Sequence, residues 1–542
     1  MLKRIFSLVL TCAMLLMCCN AALANEVQWP TLAERAKMET KIEKLTDEPV
    51  TLTVWFDLGS HDVTDVIPDL QELPLLKALE EKTGIHLELI VPPVGEAESN
   101  FSLMLTSGKY ADIIIGFNSF YSMGADAAIE EGIILDLTDL VEKYAPHYNA
   151  VRTATNYRIV NTVTDNGHMP YFCNISYADA LGKTYGGPII RQDVLDKLGM
   201  DTPVTFDDWH EFLTRAKNEM GMTRGFGIAN GGIAKYNAFN TAFGFGMNDP
   251  AQGGDFYVVD GKVCYGPLSE GYLPYVTLMR DWYAEGLLDP DFTSTITFDD
   301  GVAMMSSDLC AATSEHGGVL DFINGLGKSV NPDFNFTPIA DPVLEEGQQL
   351  HYGFINGGSP IGKAAAITTA CKNPELAVRF LDQLYTDEGF MLCNYGIEGE
   401  SYVLDENGVP QFTDLIMNNP QGTPTHMMCA YAAPISWPFE GVFGRDDVGA
   451  SLEYAATWDA NNDYSYSYPG GVTPTKEENE VYGDYYPDIK TYTDEMTVRF
   501  IMGLEPLENY DAFVEQLHTL GIDEVLASRQ SAYDRYMERA SK

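Results

Sequence analysis

Apolar and polar positions change period repeatedly along residues 50–135. Residues 51–56 are rich in β-branched and aromatic side chains and run out at Gly59, which predicts a strand. Residues 70–83 carry apolar positions at helical spacing and stop at Gly84. A second strand is expected over 85–91, a helix over 99–107 ending at Gly108, a buried strand over 112–116, and a short helix over 125–131 ending at Gly132. Glycine closes each helix because it enters the left-handed region without a Cβ clash. Strand, helix, strand, helix, strand is the rhythm of a parallel sheet covered on both faces, where ligands sit beyond the carboxyl ends of the strands. Those ends fall at residues 57–60 and 117–121.

A second α/β region begins near Tyr185. It opens with a strand over 186–191 and a helix over 193–198 ending at Gly199. A further helix follows Pro203, with Thr205 as N-cap and Asp208 three residues on. Residues 256–265 read as a hairpin turning at Asp260-Gly261, and residues 401–412 as another turning at Asn407-Gly408. Residues 273–285 are amphipathic, and two closing helices are expected over 510–520 and 523–539. Residues 25–48, polar and charged, read as a linker with a short helix.

The first residues look like a targeting segment. Lys3-Arg4 precedes an apolar run, and Ala22-Leu23-Ala24 is a small-x-small cleavage pattern, so residues 1–24 read as a secretory signal peptide. Cys18 and Cys19 also admit lipidation after a cut before either cysteine. Met17 suits that cut poorly and Cys18 tolerably, so free secretion and a lipid anchor at Cys18 or Cys19 both stand. No later run is long and apolar enough to span a bilayer. Three of the nine cysteines leave with the signal; the remaining six are scattered without a CxxC pair, and buried thiols and disulfides both stand.

The chain has 542 residues, 33 basic and 79 acidic, a net charge of −46. Such a surface repels phosphate backbones and anionic headgroups, which excludes a nucleic-acid binder and disfavours a strongly anionic ligand. Reaction motifs fail one by one. Gly327-Lys328-Ser329 ends like a phosphate loop, but Phe322 stands at the first glycine position. Pro360 follows Ser359 where a nucleophile elbow needs glycine two on, and His210-Glu211 lacks its second histidine. Asp459-x-Asn461-x-Asp463 begins like a calcium loop, but Tyr464 and Gly470 replace the needed glycine and glutamate. No catalytic residue, metal or cofactor is expected. The acidic pairs Asp207-Asp208 and Asp299-Asp300 read as helix or loop surface.

Binding chemistry remains. Sugars offer apolar ring faces to aromatic side chains and hydroxyls to carboxylates and amides. Loops after the expected strands carry that mixture, and the candidate ligand-binding residues are Asp57, Asn118, Ser119, Tyr121, Asn240, Glu315 and Trp437. Trp437 lies between Pro434 and Pro438, and two readings of it stand level: a platform for a sugar ring, with Glu440 accepting hydroxyl hydrogen bonds nearby, or a plug in the core.

Several longer segments resemble a known family. They are Gly186 to Gly199 with Pro203 to Trp209, Asp260-Gly261-Lys262-Val263 leading to Glu285-Gly286-Leu287-Leu288-Asp289-Pro290-Asp291, Asn394-Tyr395-Gly396-Ile397-Glu398-Gly399, and Tyr510 through Tyr536. They are similar to the family 1 extracellular solute-binding proteins of bacterial ABC importers, in the LplA/LipO-like branch. The resemblance implies an α/β, two-lobed, periplasmic-binding-protein-like fold of type II. It also implies a carbohydrate, an oligosaccharide, held in the inter-lobe cleft and delivered to ABC permease membrane subunits by a monomeric protein that is not an enzyme. A secreted carbohydrate-active enzyme and a binding protein for peptides or other small solutes are the alternatives. Relatives often carry an acidic calcium loop after the helix that begins near Pro203; residues 218–225 here lack those ligands. The expected division is 49–168 with 293–342 in one lobe, 169–292 with 353–542 in the other, and a hinge crossing at 343–352.

Overall fold

The computed structural model describes residues 29–59, 63–177, 184, 186–228, 232, 239–247, 255–295, 297–352, 364–422, 424–434, 437–442 and 448–541. The signal peptide, Cys18 and Cys19 lie outside them.

The apolar blocks of the N-terminal third build the expected parallel strands: β1 (Val50–Phe56), β2 (Ile85–Ile90) and β3 (Ile113–Ile115). β1 is central, with Val54 beside Leu89 on one side and beside Ile113 on the other. All three residues of β3 are buried, as a strand covered on both faces requires. The helices Pro74–Thr83 and Ala97–Ser107 connect these strands and end at Gly84 and Gly108, both at positive φ.

In the second region β4 (Gly186–Arg191) is buried throughout and is flanked by two antiparallel strands, β5 (Ala312–His316) and β6 (Phe336–Pro338). The helix Phe206–Met220 starts in the expected capping box, with Thr205 and Asp208 satisfying each other's backbone amides. The hairpin of Phe256–Val259 and Lys262–Tyr265 turns at Asp260 and Gly261, both at positive φ, which matches the right-handed twist of its strands. The closing helices are Tyr510–Thr519 and Ile522–Ala540. The helix Lys476–Ile501, which continues through Pro487, is not expected from the sequence.

β7 (Ala365–Ile367) returns to the first sheet, antiparallel to β3, giving the order β7-β3-β1-β2. The chain therefore departs from the expected division in three places. Strands β5 and β6, within 293–342, join β4 of the second region rather than the first sheet. Residues 364–439, placed with the second lobe by the sequence, supply β7, Phe380, Leu384 and Trp437 to the first core. Val343, Leu350 and Tyr352, in the expected hinge, are buried in the second core. The chain passes from first core to second between Ile175 and Ile190, back between Tyr352 and Ala364, and forward again between Phe439 and Tyr468.

The linker expectation also needs correction for its described part. The short helix Leu32–Arg35 has its own capping box and docks on the first lobe. Arg35 reaches Asp387 at 2.7 Å and also binds Glu440. The amides of Thr40, Ile42 and Glu43 donate to Asp387, Glu388 and Gln383 at 2.7–3.0 Å. Polar residues at 29–48 are thus a strap held by hydrogen bonds to residues 383–388 and to Glu440. The five cysteines Cys173, Cys310, Cys371, Cys393 and Cys429 are buried thiols and Cys264 is a partly buried one.

Candidate functional site

The end of β1 carries Asp57, whose carboxylate accepts the Gly59 amide at 3.0 Å in a turn where Gly59 has φ of 57°. Trp437 packs edge-to-face on Phe56, the last residue of β1, with centroids 6.0 Å apart. It is 2% exposed and belongs to the first core, so its ring occupies the plug position of the two expectations. Its indole N–H has no acceptor among the described residues. Glu440, expected to be available to hydroxyls, is 1% exposed and instead binds Arg35 and Arg158.

The end of β3 turns through Gly116, at φ of 83°, into the short helix Phe117–Phe120. Asn118 there accepts the Ala364 amide at 3.1 Å, tying the β3 end to the start of β7, and Ser119 is exposed. Tyr121 stacks on Phe117 with centroids 5.2 Å apart and donates its hydroxyl to Glu131 at 2.8 Å. Lys476, at the start of the helix Lys476–Ile501, donates to the other Glu131 oxygen at 2.8 Å. The Lys476 hydrogen bond first, and then that of Tyr121, hold the Glu131 carboxyl below its usual range. Burial, followed by the Glu131 hydrogen bond, pushes the Tyr121 phenol far up, so it is a neutral donor.

On the second lobe Asn240 is fully buried and donates to the Phe245 carbonyl at 2.9 Å, closing the turn around Thr241–Phe243. Glu315 lies on β5 opposite Gly187, 1% exposed, and accepts the His316 amide at 3.1 Å. The structure thus gathers Asp57, Asn118, Ser119, Tyr121 and Trp437 at the strand ends of the first lobe and leaves Asn240 and Glu315 on the second. Sequence reasoning missed Glu131 and Lys476, since no local pattern joins residues 345 positions apart. Among the described residues no group of three or more His, Cys, Asp or Glu side chains is arranged to hold a metal, and no helix is long and apolar enough to cross a membrane.

Comparison with known proteins gives the family. A family model described as bacterial extracellular solute-binding protein matches residues 69–389, more than half of the chain. The chain is 25% identical over 507 residues to the fructooligosaccharide ABC transporter substrate-binding protein FusA of Streptococcus pneumoniae, covering 86% of this chain and 88% of that one. It is 24% identical over 387 residues to lipoprotein LipO of Bacillus subtilis, covering 67% and 71%. Among solved structures, FusA in complex with kestose superposes with a TM-score of 0.73 at 20% identity, over 90% of this chain and 99% of that one. The alginate-binding protein AlgQ2 without calcium superposes with a TM-score of 0.70 at 21% identity, over 91% and 100%. The shared architecture is the type II periplasmic-binding-protein-like fold. With this family match, the chain belongs to the bacterial extracellular solute-binding proteins.

Proposed function

We propose that this protein is the extracytoplasmic solute-binding component of an ABC importer and captures an oligosaccharide between its two lobes without altering it. The observation that carries the reading is the set of side chains at the ends of β1 and β3, where Asp57, Asn118 and Tyr121 offer a carboxylate, a carboxamide and a phenol beside aromatic rings. That mixture suits alternating hydroxyls and apolar ring faces. FusA and AlgQ2, though named for different sugars, are both named for oligo- or polysaccharides, which supports the ligand class rather than one sugar. The net charge of −46 favours a neutral chain over a polyuronate.

Ligand in the cleft would favour the closed arrangement by making contacts with both lobes that the open one lacks. The test is mass spectrometry of ligand co-purified with the mature protein from its native host, followed by thermal melts with a panel of neutral oligosaccharides. A bound sugar recovered intact supports the reading, and at a hundredfold excess over Kd it should stabilise the fold by about 2.7 kcal/mol. Cleavage of the sugar, or a panel without any shift, overturns it.

A further inference from the structure

The helix Ile522–Ala540 belongs to one lobe and is clamped to the other. It roots in the second core through Ile522, Val525 and Tyr533, yet its C-terminal turns lie against residues 156–165. Those residues hang from the first lobe. Arg158, in the helix Asn156–Asn161, donates to the Val151 and Ser176 carbonyls at 3.0 and 2.6 Å and binds Glu440. Between the two lobes the Asp165 carboxylate takes Arg535 on one oxygen at 2.8 Å and Arg539 on the other. Both arginines are braced within their own lobe. Glu478, on the helix Lys476–Ile501, accepts from Arg535 at 2.6 and 2.7 Å, and the Gly471 carbonyl accepts from Arg539 at 2.8 Å.

Packing at the same place is tight. Gly471 faces the buried Asn161 so closely that a Cβ at 471 would overlap the Asn161 carboxamide. Gly124 of the first lobe likewise faces Asn479 and the Pro474 carbonyl, which a Cβ would meet at 3.1 and 3.2 Å. Charge-assisted hydrogen bonds over a surface that admits no side chain make a contact that resists separation. Glu131 and Lys476, the neighbouring pair at 2.8 Å, differ in being more than 40% exposed, and such surface pairs contribute little. The clasp also lies beside the strands that join the lobes, since Arg158 touches Ser176 and Glu440 where the chain leaves the first lobe. Rotation between lobes moves atoms least next to such crossings.

We infer that this contact is a fixed pivot: the lobes turn about Asp165, Arg535 and Arg539 as the cleft opens and closes, and do not part there. The inference rests on the reading of a two-lobed binding protein for the motion, whereas the clasp at Asp165 stands on geometry alone.

A disulfide across the contact tests it. A Cβ at 471 would stand 3.2 Å from that of Asn161, just under the ~3.5–4.5 Å between the Cβ atoms of a disulfide. Asn161→Cys combined with Gly471→Cys is therefore expected to cross-link on mild oxidation, read by intact mass after alkylation. The probe is the member of the neutral oligosaccharide panel, kestose included, that most raises the wild-type melting temperature. The oxidised form is expected to bind it as tightly as its own reduced form, and to show the wild-type change in radius of gyration by X-ray scattering. Affinity about tenfold weaker on oxidation, or loss of that change, overturns the pivot, as does failure to cross-link. Without sugar, Asp165→Asn is expected to enlarge the radius of gyration while near-UV circular dichroism is kept. Arg539→Met is expected to do the same and keeps the test open should Asp165→Asn fail to fold. Wild-type dimensions in both variants overturn the clasp. If no sugar of the panel binds the wild type, the sugar reading fails by itself, and scattering from the two clasp variants still decides the pivot.

Discussion

Arg158 and Glu440, 282 positions apart in the sequence, meet at 3.2 Å inside the first lobe, with Arg158 fully buried and Glu440 1% exposed. Arg35 of the N-terminal strap binds the other oxygen of the same carboxylate, and the ring of Trp29 lies 4.3 Å from the Arg158 guanidinium. Glu440 stands on the two-residue strand Glu440–Gly441, which pairs with Ile175–Ser176. Both strands lie just before a passage of the chain to the second core, so the strap is fastened at the root of the connection between lobes.

Removing this carboxylate takes from Arg35 one of its two carboxylates, Asp387 being the other, and from the buried Arg158 the carboxylate at 3.2 Å. Glu440→Ala is expected to destabilise the protein by about 3–5 kcal/mol. Urea denaturation of the variant beside the wild type measures it. A loss under about 1 kcal/mol, the range of a surface pair, would mean that water reaches the site.

Trp437 is 2% exposed against Phe56, so Trp437→Ala is expected to lose about 3–5 kcal/mol of folding stability. Calorimetric titration of the same variant with a binding oligosaccharide separates its two possible roles. Affinity unchanged in a folded variant removes Trp437 from the ligand-binding set; a strong loss of affinity with a small loss of stability would restore the platform reading.

Gly187 faces the ring of Trp458, whose indole N–H donates to the Pro188 carbonyl at 2.9 Å. A Cβ on Gly187 would stand 2.5 Å from that ring, closer than real side chains approach. Gly187→Ala is expected to cost about 1–3 kcal/mol through forced displacement of Trp458. A change in tryptophan near-UV circular dichroism should accompany the lower melting temperature; a variant as stable as the wild type would contradict the close packing.

The strap predicts an acid-sensitive fold. Burial raises the Asp387 carboxyl, but hydrogen bonds from Arg35 and Thr40 outweigh it, and the net shift is downward. Glu478 is likewise held low against burial by Arg535 and the Thr475 amide. A lowered folded value contributes stability that is present above the unfolded carboxyl pKa of about 4 and is lost as pH falls through the folded value. Melting temperatures followed downward from neutral pH should fall steeply below about pH 4, and less steeply in Asp387→Asn. Equal slopes for variant and wild type would contradict the assignment.

Much of the local structure was legible in the chain. The glycine-terminated helices after β1 and β2, the Thr205–Asp208 capping box and the Asp260-Gly261 hairpin each depend on residues within a few positions of one another. Periodicity and turn chemistry report such short-range sterics directly. The acidic charge and the failed reaction motifs narrowed the function to binding, and the segments from Gly186 to Tyr536 pointed to the family that the comparison bears out.

Only the tertiary structure decided which sheet each later strand joins. β5 and β7 are both short, buried strands, yet one pairs with β4 and the other with β3, because pairing is set by partners more than a hundred residues away. The same reason applies to the candidate site. Trp437 among prolines and Glu440 beside it look available in the sequence, but the β1 end buries the first and two distant arginines claim the second. A polar stretch such as residues 29–48 reads as solvated until the acids and amides that satisfy it, near residues 383–388, are folded against it. Burial and charge pairing are properties of the assembled chain, and no local pattern encodes them.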